Sequence, residues 1–285
     1  MPEYPEVTVV TNTLNSLTSG HKIIAVKVLK DKLIKNATEE EFSNFLINKT
    51  IKEVCNYGKF ILFTFEDNSR MISHLRMSGK YFVLDVNSLN PMAQEIHNYI
   101  YFYLENHTVM IYNDARMFGS FEIIPASDTR SIYEIKNLAQ LPHQVNVDEL
   151  WNKLQRKNIS IKAILLDQSL VLGVGNIYAD EALHRVKMYP MLKCNKVSKA
   201  RLAELLQAAG DIMNDSVAHG GSSVHTYVSV NSKRGTYQNK LEVYGKDGKL
   251  CSTCKLSLIK KVKLDYKQNG RGTSFCPNCQ KEVNG

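Results

Sequence analysis

The chain has 285 residues, 44% of them hydrophobic, with 36 Lys and Arg against 28 Asp and Glu for a net charge of +8. That length supports two domains with real cores, and the basic balance favours a polyanionic partner such as nucleic acid. No apolar run approaches a membrane span and no secretory signal opens the sequence, which excludes membrane and secreted classes and leaves a cytoplasmic protein as the expectation.

The first stretch, Met1-Pro2-Glu3-Tyr4-Pro5-Glu6, can open a helix, because proline suits a first turn and acidic residues suit the helix dipole. It can also do chemistry. With Met1 removed, Pro2 is a free secondary amine, and α-amino groups titrate near pH 8, so a useful fraction is the neutral nucleophile. Such an amine can add to a sugar's anomeric carbon and form an iminium, with Glu3 and Glu6 beside it to move protons. Val7, Val10, Leu14 and Leu17 then recur at helical spacing, and Ser19-Gly20 ends the helix. Ile23 to Leu29 reads as a strand. Thr38 and Glu41 form a capping box ahead of a short helix that buries Phe42, Phe45 and Leu46.

From residue 51 the pattern turns to β. Phe60 to Phe65, Met71 to Leu75, Tyr99 to Leu104, Val109 to Tyr112 and Phe121 to Ile124 are predicted strands. Short strands with brief turns suggest a sandwich or barrel, with the first helix packed on its edge. Residues 131–148, with Pro142, read as a connector. Helical faces follow, marked by Trp151, Leu154, Ile161, Ile164 and Leu165. A clear helix runs from Ser198 towards His219 and stops at Gly220-Gly221. Residues 222–241 are polar and read as a long flexible loop, the kind that is often functional. Cys251, Cys254, Cys276 and Cys279 form two C-x-x-C pairs with the spacing of a tetrahedral zinc site. A reducing compartment disfavours the alternative of two disulfides. Four thiolates leave no open position, so the zinc is structural, and a module this small needs it. Cys55 and Cys194 are expected as buried free thiols.

Several turns carry residues suited to phosphate or to a base stack. Lys59, at the mouth of an apolar strand, can reach a phosphate or a reacting sugar, or can be a solvated strand-end lysine. His74-Leu75-Arg76-Met77-Ser78-Gly79 leaves a strand for a turn, where Met77 is either a wedge for a base stack or packing beneath the loop. In Asp114-Ala115-Arg116-Met117-Phe118-Gly119, Arg116 can fill a vacated position and Phe118 can intercalate. The two glycines of Leu172-Gly173-Val174-Gly175-Asn176 permit a tight turn into a helix whose N–H groups suit a phosphate, with Asn176 as a further donor. A plain helix–turn–helix is the alternative. Arg271, between Gly270 and Gly272, is either a bidentate phosphate grip or an exposed turn arginine.

The opening M-P-E-Y-P-E-V, the segment L-L-D-Q-S-L-V-L-G-V-G-N-I-Y-A-D-E-A-L and the end G-R-G-T-S-F-C-P-N-C together resemble bacterial formamidopyrimidine-DNA glycosylases over the whole chain. The resemblance implies an α+β fold. An N-terminal β-sandwich flanked by helices would span residues 1–133. A helical helix-two-turn-helix domain with a lesion loop would span 134–241, and a β-hairpin zinc finger 242–285, with DNA between the two lobes. It further implies a DNA glycosylase and abasic-site lyase of base excision repair, with one structural zinc and a nucleoid association through DNA; the lack of a heptad pattern or obvious partner face suggests a monomer. The substrate would be duplex DNA carrying oxidised purines (8-oxoguanine, formamidopyrimidines) or abasic sites.

By matching position, Pro2 resembles the nucleophile, Glu3 the acid/base and Glu6 a supporting carboxylate. Lys59 and Arg271 resemble active-site phosphate contacts, and His74 a DNA contact. Met77, Arg116 and Phe118 resemble the trio that fills the gap left by a flipped base. Asn176 and Arg271 resemble the pair that pins the lesion phosphate, and residues 222–241 the loop that closes over the flipped base. Three positions depart from the family pattern: Tyr4 stands for a usual leucine, Met117 for a frequent basic residue and His225 for a frequent arginine. Two rivals are an endonuclease VIII-type enzyme for oxidised pyrimidines and a non-catalytic damage-binding zinc-finger protein. The N-I-Y-A-D-E-A-L segment and the long loop favour the purine enzyme over the first, and the Pro2-Glu3 start argues against the second.

Overall fold

The computed structural model describes residues 2–88, 96–223, 229–232 and 234–282, so Met1 and His225 lie outside the described residues. Backbone contacts group Met1–Ser131 with His219–Thr236 as one unit, and Ile132–Ala218 with Tyr237–Gly285 as a second. That division differs from the expected boundaries at 134 and 242. The stretch 219–236, expected within the helical domain, goes with the first unit for a physical reason. Val230 is buried in the first unit's core, and the Asn231 side chain takes both backbone groups of Val83, accepting its N–H at 2.9 Å and donating to its carbonyl at 3.0 Å. At its described positions the expected flexible loop is anchored in this way and forms 3-10 turns at Val230–Ser232 and Tyr237–Lys240.

In the first unit, helix α1 (Tyr4–Thr18) opens on Pro5, which has no N–H to lose in a first turn. Val7, Val10 and Leu14 are buried as expected, but Leu17 is 38% exposed. Thr18 takes the inward position instead, its hydroxyl satisfied by donating to the Leu14 carbonyl at 2.8 Å. Strand β1 (Ile23–Val28) and helix α2 (Glu39–Leu46) follow. The Thr38 hydroxyl caps α2 by accepting the Glu41 N–H. Phe42 and Leu46 are buried, and Phe45 is half-buried.

The remaining strands are β2 (Ile51–Tyr57), β3 (Phe60–Phe65), β4 (Arg70–His74), β5 (Gly79–Asp85), β6 (Asn98–Leu104), β7 (Thr108–Asp114) and β8 (Ser120–Ile124). They form two antiparallel sheets, ordered β1-β6-β7-β5 and β2-β3-β4-β8. No strand is predicted at 79–85. Its alternation is hidden because Phe82 and Leu84 occupy the face that would ordinarily be polar, while Tyr81 and Val83 point to the core. Rings meet edge to face at the centre of the sandwich: Phe42 with Phe121 at 6.0 Å, Tyr112 with Phe121 at 4.8 Å and Tyr81 with Tyr112 at 5.3 Å. Helix α1 packs on the edge strands β2 and β5. Asn15 accepts the Val54 N–H at 2.8 Å and Asn56 donates to Thr8 at 3.1 Å, so side chains cover an edge that would otherwise be open. Cys55, on this edge, is half-buried rather than buried, and Cys194 is buried.

The second unit begins inside the expected connector, which contains α3 (Ile132–Lys136) and a 3-10 turn at Pro142–Gln144. Then come α4 (Val147–Leu154), α5 (Ile161–Leu166), α6 (Asn176–Arg185), α7 (Lys199–Ala218) and the hairpin of β9 (Lys260–Lys263) and β10 (Gly272–Phe275). Among the described residues no helix is long and apolar enough to cross a membrane.

Buried charges join the helices to the hairpin. Lys162 on α5 and Asp180 on α6 are both fully buried and pair at 2.6 Å. The Lys162 ammonium also donates to the Gly272 carbonyl at 3.0 Å and the Thr273 hydroxyl at 2.9 Å, and Asp180 accepts the Ser274 N–H at 2.9 Å. Burial pushes the Asp180 carboxyl up to about 7, against the pull of Lys162. Breaking one partner of a buried pair leaves an uncompensated charge. Lys162→Met is expected to lower unfolding free energy by about 3–5 kcal/mol in urea titrations, and adding Asp180→Asn to recover part of the loss. A double variant no more stable than Lys162→Met would show that the pair contributes through packing instead.

Candidate active site and metal centre

At the amino terminus Pro2, Glu3 and Glu6 are all buried. Glu6 holds this corner together. One carboxylate oxygen accepts the Glu3 N–H at 2.8 Å and the other accepts the Ser222 N–H at 2.8 Å. Gly221 stands at φ +82, which favours glycine, and a Cβ there would lie 3.1–3.3 Å from Glu6, a tight approach. The Ser222 hydroxyl oxygen is buried with no hydrogen-bond partner among the described residues.

Lys59 is the second residue of the two-residue β2–β3 turn, after Gly58 at φ +59. It is only 8% exposed, so it is not a solvated strand-end lysine. The Asn56 side chain donates to the Gly58 carbonyl at 3.0 Å and to Thr8 of α1, which ties this turn to the first helix.

The two later turns of the first unit meet. His74 accepts the Arg76 N–H on Nδ1 at 2.9 Å, so the neutral ring carries its proton on Nε2. Met77 is 41% and Phe118 53% exposed, with Arg116 between them. Arg116 Nη1 lies 3.2 Å from Met77 Sδ, and its guanidinium sits 4.8 Å over the Phe118 ring. Met117 is half-buried against the sandwich core, which accounts for an apolar residue where the family resemblance suggests a basic one.

In the second unit, Gln168 shapes the glycine turn. Its side chain accepts the Gly173 N–H at 2.9 Å and donates to the carbonyls of Leu166 and Val174. Gly173 adopts φ +85, and Gly175 is the N-cap of α6, with Asn176 as the first helical residue. Arg271 is exposed at the start of β10, where Lys162 holds the neighbouring Gly272 carbonyl. Asn176 and Arg271 therefore stand on elements locked by one network, Lys162–Asp180–Ser274.

The four cysteines of the hairpin module come together, with all four sulfur atoms within 4.8 Å of one another. Cys251 and Cys279 are 3.9 Å apart and Cys254 and Cys276 are 3.6 Å apart. A tetrahedron with Zn–S bonds of about 2.3 Å has sulfur separations of about 3.8 Å, so this set can bind one structural zinc. Hydrogen bonds, that of the Leu256 N–H first, hold the Cys254 thiol down at about 6, whereas burial pushes the Cys276 and Cys279 thiols up.

Sequence reasoning passed over Ser78, Asp114, Lys162, Asp180, Glu181 and Ser222. Two of them leave a trace. Asp180 and Glu181 interrupt a helix whose other neighbours, Tyr178, Ala179, Ala182 and Leu183, are all buried. Acids at such positions signal a buried partner. Glu181 supplies one by accepting the N–H groups of Glu242, Val243 and Tyr244 at 2.8–3.0 Å.

A β-sandwich unit and a helical unit that ends in a four-cysteine hairpin define a known class of DNA repair protein. The first 121 residues match the model of the formamidopyrimidine-DNA glycosylase N-terminal domain, and residues 138–228 match the H2TH domain of the same enzymes. The formamidopyrimidine-DNA glycosylase of Listeria monocytogenes is 40% identical over 285 residues, covering 99% of this chain and all of its own. That of Mycoplasmopsis pulmonis is 39% identical over 282 residues, covering 99% of both. A solved complex of the Lactococcus lactis enzyme with abasic-site DNA superposes with a TM-score of 0.89 at 33% identity, over 98% of this chain and all of that one. MutM in complex with DNA carrying carbocyclic 8-oxo-G gives 0.88 at 32% identity over the same shares. The chain belongs to the formamidopyrimidine-DNA glycosylase family.

The hairpin's own apolar cluster is small, consisting of Val243 and Ile259 beside the cysteines. Metal removal should therefore unfold the end that carries the cysteines. One zinc per chain is expected by elemental analysis, and chelation is expected to expose Lys246, Lys249 and Lys255 to trypsin. A chelated chain that keeps its protection would show that the hairpin stands without metal.

Proposed function

We propose that this chain excises oxidised purines, such as 8-oxoguanine and formamidopyrimidines, from duplex DNA and then cleaves the strand at the abasic site. The observation that carries the reading is the Glu6 carboxylate, which binds the Glu3 and Ser222 N–H groups at once and so fixes the start of the chain beside the start of the lesion loop.

Removal of Met1 frees the Pro2 nitrogen. Its lone pair attacks the sugar carbon that bears the damaged base, and the base leaves with the glycosidic electron pair and a proton. The nitrogen's electrons then form the iminium as the sugar ring opens, with Glu3 as the proton donor to the ring oxygen. Loss of a proton from C2′ expels the 3′ phosphate, and loss of a second proton, from C4′ of the resulting conjugated iminium, expels the 5′ phosphate. Glu6 holds Glu3 in place. Lys59 and Arg271 neutralise the phosphates that flank the lesion, Asn176 donates a hydrogen bond to them, and His74 is a further DNA contact. Met77, Arg116 and Phe118 fill the gap left by the extruded nucleotide.

The relatives support the purine specificity: the solved complexes of the Lactococcus lactis enzyme and MutM hold Fapy-dG, 8-oxo-G and abasic-site DNA. The protein acts as a monomer in the cytoplasm, on the nucleoid, with the zinc in a structural role.

Borohydride reduction of the iminium tests this directly. Protein mixed with an 8-oxoguanine duplex and borohydride is expected to form a crosslink that maps to Pro2. Pro2→Gly should bind the duplex but lose base release and crosslinking. Full activity in that variant removes Pro2 from the mechanism, and a stronger crosslink with oxidised pyrimidine moves the specificity. Arg271→Ala is expected to weaken binding on all sequences and to lower the salt slope by about 1, the signature of one lost phosphate contact. An unchanged slope and affinity would detach Arg271 from the phosphate.

A further inference from the structure

The exposed trio of Met77, Arg116 and Phe118 stands on a buried polar network that the reaction itself does not use. Ser78, next to Met77, donates its hydroxyl to the Asp114 carboxylate and accepts the Arg116 N–H at 3.1 Å. The same Asp114 oxygen accepts the Arg116 N–H at 3.2 Å. The other accepts the Gly119 N–H at 2.8 Å and the Tyr112 hydroxyl at 3.3 Å. Asp114 is 0% exposed, so water does not compete for these bonds.

Both turns end in a glycine, Gly79 after Met77-Ser78 and Gly119 after Phe118. A Cβ on either one would overlap the Tyr112 hydroxyl oxygen. Two loops 40 residues apart therefore close on one hydroxyl and one carboxylate. Arg76 and Met117, which flank the exposed residues, adopt positive φ of 51°. Side chains rarely choose that conformation, and surrounding structure must impose it. Burial and the neighbouring Asp114 carboxylate push the Tyr112 hydroxyl well above its ordinary range, so it stays a donor.

We propose that Ser78, Asp114 and Tyr112 form a clamp that joins the two turns into one preassembled wedge, making them positioning residues for base extrusion. The proposal rests on the void-filling role given to Met77, Arg116 and Phe118 above. Insertion of a wedge must overcome base stacking. A wedge assembled at that moment would also lose the freedom of two loops and three side chains, and the clamp removes that loss beforehand.

Ser78→Ala deletes the hydroxyl that bonds both Asp114 and the Arg116 N–H. Single-turnover base release from an 8-oxoguanine duplex is expected to fall by about ten- to a hundredfold, the scale of a misplaced positioning group, with substrate affinity within about threefold and thermal unfolding close to that of the parent. Met77→Ala and Phe118→Ala, singly and together, complete the test. In the parent their effects should not multiply, since either one disables a single unit. In the Ser78→Ala background they should multiply, because the residues then act separately.

Base release at the parent rate in Ser78→Ala, with non-multiplying effects preserved, overturns the clamp. Met77→Ala and Phe118→Ala that each release base at the parent rate overturn the void-filling reading instead, and the clamp with it. Should Ser78→Ala lose folded protein, Tyr112→Phe removes a single oxygen beside Asp114 and should show the same split between rate and affinity. A Tyr112→Phe variant at the parent rate then overturns the clamp.

Discussion

The amino-terminal chemistry depends on one carboxylate, that of Glu6. A chain terminus is ordinarily among the most mobile parts of a protein, and a mobile nucleophile is a poor one. Here the helix begins almost at once, and Glu6 in its first turn spends both oxygens on backbone N–H groups. Bonds to a charged group are worth about 1.5–3 kcal/mol each, and the positive end of the helix dipole adds to them. Together they offset the burial of a carboxylate that is 1% exposed. The consequence is that the backbone at Glu3, next to Pro2, is held by a buried charge. The same carboxylate also accepts the Ser222 N–H, so the start of α1 and a loop 216 residues away share one anchor.

The second unit repeats the device with different partners. Its hairpin module has little apolar surface of its own to bury, and a metal can organise only the end that carries the cysteines. The rest is held from outside by carboxylates on α6. Asp180 takes an N–H of β10 and Glu181 takes three at the start of the module, while Lys162 closes the charge balance and holds the Gly272 carbonyl. Arg271 stands next to that carbonyl. The position of an exposed side chain is thereby set by charges in a dry interior, where direction matters more than it would at the surface.

Much of this was legible in the sequence because it depends on local chemistry. The capping box at Thr38, the glycine turn before Asn176 and the paired C-x-x-C motifs each need only a few neighbouring residues, and each appears where expected. The strand at 79–85 was not legible, because both its faces are apolar. Nor was the placement of residues 219–236, which turns on Asn231 reaching Val83, a pairing 148 residues apart that no local pattern carries. The buried charges were hidden for the same reason. Lys162 in an apolar run reads as a defect until Asp180 and Thr273 are seen around it. Residues proposed to meet substrate stand out by unusual chemistry in a turn, whereas those that hold them in place look ordinary and are revealed by their partners.

That division has a physical basis. Met77 and Phe118 are large apolar groups facing water, and a loop bearing them would gain by folding them inward onto the sandwich core, as Met117 between Arg116 and Phe118 does. Keeping Arg116 and Phe118 outward and Met117 inward along the turn between β7 and β8 requires a backbone that cannot choose otherwise. The positive φ at Met117 and the N–H groups of Arg116 and Gly119 bound to Asp114 provide that constraint. The strength of the buried network thus determines how much apolar surface the protein can hold exposed in a fixed shape. A net charge of +8 can draw the chain to DNA from any direction, but it carries no geometry. The geometry comes from a few interior carboxylates, each satisfied by backbone N–H groups of the segment it positions.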